Sequence, residues 1–286
     1  LLNGEDTFQK VKIPTIRQVP IALWILSATL LYLIGKRVYD QKTVLWGILI
    51  YSCGTLYVME TRTVFAENLV TPLILSSILL FMHFKKTINV RKILLLSLLA
   101  GCAFWAKELG IAVFVSLFIL MVYEKIKWKY ILTYTAFSLF FVSLYALYGY
   151  IYNWQLFTAV ITIQSSRELG PNVLNMLFFT PVVVNKVYYD GWYLLGFVAF
   201  FASFSDIKKH AYISIPAFVY FFLMIFSLTQ HGEMGWYMIP LFPFFSILTA
   251  SLLVESIKKN NAFIISACAF VGLFIARYYL SLIHIS

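Results

Sequence analysis

VPIALWILSATLLYLIG, residues 19–35, decides the fold. The stretch carries no charge, is mostly aliphatic and aromatic, and is closed by Lys36 and Arg37. At a rise of about 1.5 Å per residue, a helix of this length crosses most of a hydrocarbon core about 30 Å thick. It reads as a membrane span with its basic end at the interface. The pattern recurs along the whole chain, at residues 44–59, 69–84, 93–106, 110–123, 130–152, 191–204, 212–228, 236–254 and 262–280. The expected fold is therefore all-α: a polytopic integral membrane protein of ten transmembrane helices, forming a single domain over residues 1–286.

Composition agrees. Of 286 residues 62% are hydrophobic and 12% charged, against about 25% charged in soluble domains. Mean hydropathy is +0.86. A soluble globular domain is excluded, because such a chain cannot cover its surface with polar groups. The net charge of +10 does not mark a nucleic-acid partner either. Lys and Arg lie in short clusters between apolar runs, the arrangement that orients membrane helices. Alternate loops hold Lys36, Arg37, Lys42, Lys85, Lys86, Arg91, Lys92, Lys125, Lys127, Lys129, Lys208, Lys209, Lys258 and Lys259, which is 14 of the 22 basic residues. That face is expected to be cytoplasmic. Asp40, Glu124, Asp206 and Glu255 lie with these clusters, and the other eight acidic residues lie on the opposite, extracytoplasmic face. Cys53, Cys102 and Cys268 are far apart inside apolar runs, with no zinc or disulfide spacing, and read as buried small hydrophobes.

The longest loop, residues 153–190, is extracytoplasmic, with Gly170-Pro171 as a turn signal. It is expected to form one or two helices on the membrane surface and to serve as a lid or acceptor platform. Both chain ends read as cut. The chain opens on Leu1, and residues 281–286 (SLIHIS) resemble an artefactual translated read-through.

Charge is expensive at a membrane, so charged groups bordering the apolar runs are the functional candidates. Residues 61–68 (TRTVFAEN) place Arg62 and Glu67 in a short outer loop, five apart and so on different faces of any helix. Residues 105–110 (WAKELG) wedge Lys107 and Glu108 between two short runs; a lysine there suits a lipid phosphate. Residues 230–243 (QHGEMGWYMIPLFP) present His231, Glu233, Trp236 and Tyr237 ahead of a helix entrance. The N-terminal stretch adds Glu5, Asp6, Lys10, Lys12 and Arg17. Each also has a plain structural reading as a wet loop, a snorkelling lysine or an aromatic belt. Within the ten runs no acid stands near a midpoint, and no nucleotide-binding, zinc-protease or serine-hydrolase signature occurs. Polar chemistry at one face favours an interfacial enzyme over a conduit.

Taken in order, these segments resemble the C-type (GT-C) membrane glycosyltransferases, in the protein mannosyltransferase and aminoarabinose transferase branch. RQVPIALWILSATLLYLIGKRVYD is similar to the family's second transmembrane helix, and LYVMETRTVFAENLVTPLILSSILLF to its third and fourth helices. LLAGCAFWAKELGIAVFVSLFIL resembles its Lys-Glu stretch, and GWYMIPLFPFFSILTA its late Y-x-x-P-x-x-P entrance. The resemblance runs from about Gly4 to Ser256. It implies transfer of a sugar from a polyprenyl-phosphate donor, reached from the membrane, to an extracytoplasmic acceptor that is a glycan, a lipid or a protein. Membrane lipid is a partner and nucleic acid is not.

The resemblance implies a role for Glu67 near the catalytic centre, sometimes beside a metal, so a divalent cation is the one cofactor to test. It implies donor-phosphate binding by Lys107, with Arg62 and Arg17 as further candidates. Glu108, His231, Glu233 and Tyr237 are substrate-pocket candidates. The family's principal acidic motif follows a helix not found here, so the chain is expected to be an N-terminally truncated enzyme, inactive as it stands. Its expected place is the plasma membrane, with the active side extracytoplasmic. The competing readings are a transporter or flippase of lipid-linked sugars, and a noncatalytic lipid-binding subunit.

Overall fold

The computed structural model describes residues 13–54, 57–58, 61, 64–165, 191–227, 236–262 and 264–266, and among them every regular element is helical. The α-helices are α1 (Ile13–Val38), α2 (Gln41–Cys53), α3 (Glu67–Phe84), α4 (Val90–Ala106), α5 (Ile111–Tyr123), α6 (Trp128–Ser165), α7 (Gly191–Ala202), α8 (Ile207–Ser227) and α9 (Phe242–Lys258). Three 3₁₀ turns, Glu108–Gly110, Ser203–Asp206 and Trp236–Leu241, lead into α5, α8 and α9.

Four helices among the described residues are long and apolar enough to cross a membrane: Gln18–Val38, Glu67–Phe84, Trp128–Ile163 and Trp236–Lys258. The integral membrane character is plain; the count of ten spans is not reproduced. The run at 44–59 is interrupted: the 13-residue α2 ends where the Gly54 N–H bonds the Ile50 carbonyl. The runs at 93–106 and 110–123 give helices of 17 and 13 residues, and that at 191–204 gives one of 12. The run at 262–280 lies mostly outside the described residues. Hydropathy marks which side chains tolerate lipid, whereas helix length depends on where the backbone is stopped.

α9 is the centre. Its Phe242, Phe244, Phe245, Ile247 and Ala250 are wholly buried, and α2 and α7 pack along it. Lipid is as apolar as leucine, so close backbone approach, not the hydrophobic effect, holds such helices together. Gly47 makes that approach on α2: a Cβ there would stand 3.1 Å from the Ile247 Cα. α4 packs on α3 and α6, α1 on α3, and α5 on α8. Cys53 and Cys102 are exposed on this bundle, which corrects their reading as buried. An apolar run among lipid gives no signal to separate an outward-facing thiol from an inward one.

The start of the expected surface loop falls at a break in the backbone. The helix of α6 continues beyond residue 153, broken by extended backbone at Asn153 (φ −168°, ψ 94°). The Asn153 side chain accepts a hydrogen bond from the Leu156 N–H at 3.0 Å and so caps the second piece. That piece turns back on the first, because a Cβ at Gly149 would lie 2.3 Å from the Phe157 ring. The rest of the expected loop, and its lid or platform role, lies outside the described residues.

The basic end of the bundle is laced together. Lys258 meets Asp40 at 2.8 Å, Lys85 meets Glu124 at 3.0 Å, and Lys209 pairs with Glu255. Three of the four acidic residues expected among the basic clusters thus have lysine partners. The Lys258 hydrogen bond, with those from Thr43, holds the Asp40 carboxyl well below the usual carboxylate range. Tyr39 hydroxyl and His210 Nδ1 lie 2.7 Å apart, tying the end of α1 to the start of α8.

Candidate functional site

The opposite end of the bundle gathers three short segments. Glu67 opens α3, whose other end runs into Lys85, so the acid and the basic cluster occupy the two ends of one helix. A carboxylate in the first turn is favoured by the unpaired N–H groups there. Before it, Thr61 bonds the Tyr57 carbonyl at 2.6 Å, and the Tyr57 ring stacks on Phe242 of α9 at 4.5 Å. The segment is thus anchored to the bundle's central helix.

Lys107 is held with equal definition. It stands in extended backbone (φ −162°, ψ 142°) between α4 and the turn Glu108–Gly110. Its N–H bonds the Ala103 carbonyl at 3.1 Å and its carbonyl accepts the Gly110 N–H at 2.7 Å. Gly110 is required sterically, since a Cβ there would fall 1.9 Å from the Ala103 carbonyl oxygen.

These two residues meet. The Lys107 Nζ lies 3.5 Å from Glu67 Oε1, with Glu67 2% exposed and Lys107 27%. The separation is longer than the roughly 2.7–2.9 Å of a charge-assisted hydrogen bond, and Oε1 has no hydrogen-bond partner among the described residues. The same ammonium stands 5.0 Å over the ring of Tyr237, from the third segment. Trp236 continues the surface, its ring 5.9 Å from Tyr237 and 5.0 Å from Phe65. The result is a buried carboxylate with an open acceptor oxygen, a half-exposed cation and a row of aromatic faces.

Chemically, this pocket can take a hydroxyl donor at Glu67 and an anion at Lys107. The open carboxylate oxygen already faces an ammonium, and among the described residues no group of three His, Cys, Asp or Glu side chains gathers to hold a metal.

Of the residues expected from the sequence, Glu67, Lys107 and Tyr237 come together. Glu108 is exposed at the start of its turn and takes no part in the ion pair. Arg62, His231 and Glu233 lie outside the described residues; Arg17 lies on α1, its side chain outside them too. Sequence reasoning missed Phe65 as a wall of the site and Tyr220 of α8, whose hydroxyl donates to the Tyr237 carbonyl at 3.0 Å. Nothing local marks Tyr220, one of 19 tyrosines in an apolar chain.

A family model described as dolichyl-phosphate-mannose-protein mannosyltransferase matches residues 8–151, half of the chain, and covers the Glu67 and Lys107 segments. No curated protein and no solved structure matches.

Proposed function

Because the chain belongs to the dolichyl-phosphate-mannose-protein mannosyltransferase family, we propose that it serves transfer of a sugar from a polyprenyl-phosphate donor to a hydroxyl of an extracytoplasmic glycan, lipid or protein. Family membership makes it a membrane glycosyltransferase of the C type; the donor, the acceptor side and the residue roles are our reading. The observation that carries it is the pair of buried Glu67 and partly exposed Lys107, set against the Tyr237 ring at the end of the bundle away from the basic clusters.

In this reading the acceptor oxygen attacks the anomeric carbon, the bond from that carbon to the phosphate oxygen breaks, and the polyprenyl phosphate leaves with the electron pair. Lys107 stabilises the charge growing on the phosphate, a contribution that counts for most in a water-poor site. Glu67 orients a hydroxyl through its open oxygen, and the acceptor proton passes to a general base.

The test is donor kinetics in the complete reading frame. Lys107→Ala is introduced beside Glu67→Gln, so that no buried carboxylate is stranded. Relative to Glu67→Gln alone, donor KM should rise on the order of 10- to 100-fold, the worth of one charge-assisted hydrogen bond. An unchanged KM at limiting donor would return Lys107 to a snorkelling role.

A further inference from the structure

The hydroxyl of Tyr220 has no part in the chemistry above, yet its bond runs into the site. Tyr220 sits wholly buried in α8 and donates to the Tyr237 carbonyl at 3.0 Å. That carbonyl belongs to the turn Trp236–Leu241, a 3₁₀ element. Such turns bond their own backbone poorly, so outside partners decide where they rest. Tyr237 is also the residue whose ring lies under the Lys107 ammonium. That ammonium in turn lies 3.5 Å from Glu67 Oε1. Hydroxyl, carbonyl, ring, ammonium and carboxylate therefore form one connected set drawn from α8, α3 and two turns. A side chain that only filled this space would need no hydroxyl; phenylalanines fill comparable positions at Phe200 and Phe242.

We infer that Tyr220 is a positioning residue for donor phosphate: its hydroxyl fixes the Tyr237 carbonyl, the carbonyl fixes the ring, and the ring fixes where the Lys107 ammonium meets phosphate. The inference rests on the phosphate role proposed above. It follows that Tyr220 influences donor affinity without touching the donor.

The experiment measures equilibrium binding of a short-chain polyprenyl monophosphate to purified protein in detergent. Tyr220→Phe should weaken binding about 3- to 10-fold, the effect of one neutral hydrogen bond. In a Glu67→Gln/Lys107→Gln background the same change should be silent. Tyr134→Phe is the control, because Tyr134 is equally buried and donates to the Phe114 carbonyl at 3.3 Å, in the contact between α5 and α6. It should leave affinity unchanged. In transfer assays of the complete reading frame, Tyr220→Phe should raise donor KM while kcat at saturating donor holds. Tyr237→Leu, which keeps the carbonyl and removes the ring, should weaken binding and make Tyr220→Phe silent, a readout that does not depend on how well the single variant folds. Wild-type affinity in Tyr220→Phe, or an equal loss in the double-glutamine background, overturns the inference alone. If the double-glutamine protein itself binds like wild type, the phosphate reading falls and the inference with it.

Discussion

At Glu67 a carboxylate has been taken out of water and given one imperfect partner. Burial of a charge costs several kcal/mol that an ion pair only partly returns, so removing one member is worse than removing both. Lys107→Ala alone should therefore destabilise the protein by about 3 kcal/mol, the low end for a pair whose lysine keeps some water. Adding Glu67→Gln should restore most of that loss, with thermal unfolding in detergent as the measurement. Glu67→Gln by itself should fold normally and lower turnover in the complete reading frame; wild-type turnover across pH would remove Glu67 from the site. Both residues were recognisable in the sequence because charge is rare here, but their pairing was not. Forty positions separate them, and the lysine has a nearer acid in Glu108. The choice is made where α3 and α4 pack, and no local pattern encodes it.

The elements differ in how much of themselves they wrote into the sequence. The bodies of α1, α3 and α9 followed from apolar length, and the acidic residues set among the basic clusters led to the ties that close that end. Stops were harder to read. α2 ends at Gly54 inside a stretch whose hydropathy does not change, whereas the break of α6 at Asn153 falls where the apolar run at 130–152 stops. The turn between α4 and α5 is the element on which the site depends most. Gly110→Ala would set a methyl group against the Ala103 carbonyl, and relief requires moving the segment that carries Lys107. Overpacking of this kind costs about 1 to 3 kcal/mol. We expect Gly110→Ala to lower both thermal stability and polyprenyl-phosphate affinity, whereas Gly47→Ala, at the contact of α2 with α9, should lower stability and spare affinity. Equal affinity in wild type and Gly110→Ala would show that the turn is free to adjust.

For the whole molecule, the two charged ends make a statement about sidedness that labelling can decide. In a cysteine-free background, exposed Glu108→Cys should react with an impermeant thiol reagent on intact cells, and exposed Lys86→Cys only after permeabilisation. Labelling of position 86 from outside would invert the orientation and the site with it. The central place of α9 has a consequence of another kind, in the order of synthesis. The helix that completes the core occupies residues 242–258, and the Gly47 notch that receives it lies near the beginning. At about 5 to 20 residues per second, the early helices wait roughly 10 to 40 seconds in the bilayer before their partner is made. During that interval the seam prepared for α9 is lined by lipid alone. A nascent chain stalled in this window presents the Gly47 face of α2 without the helix it packs on in the finished protein.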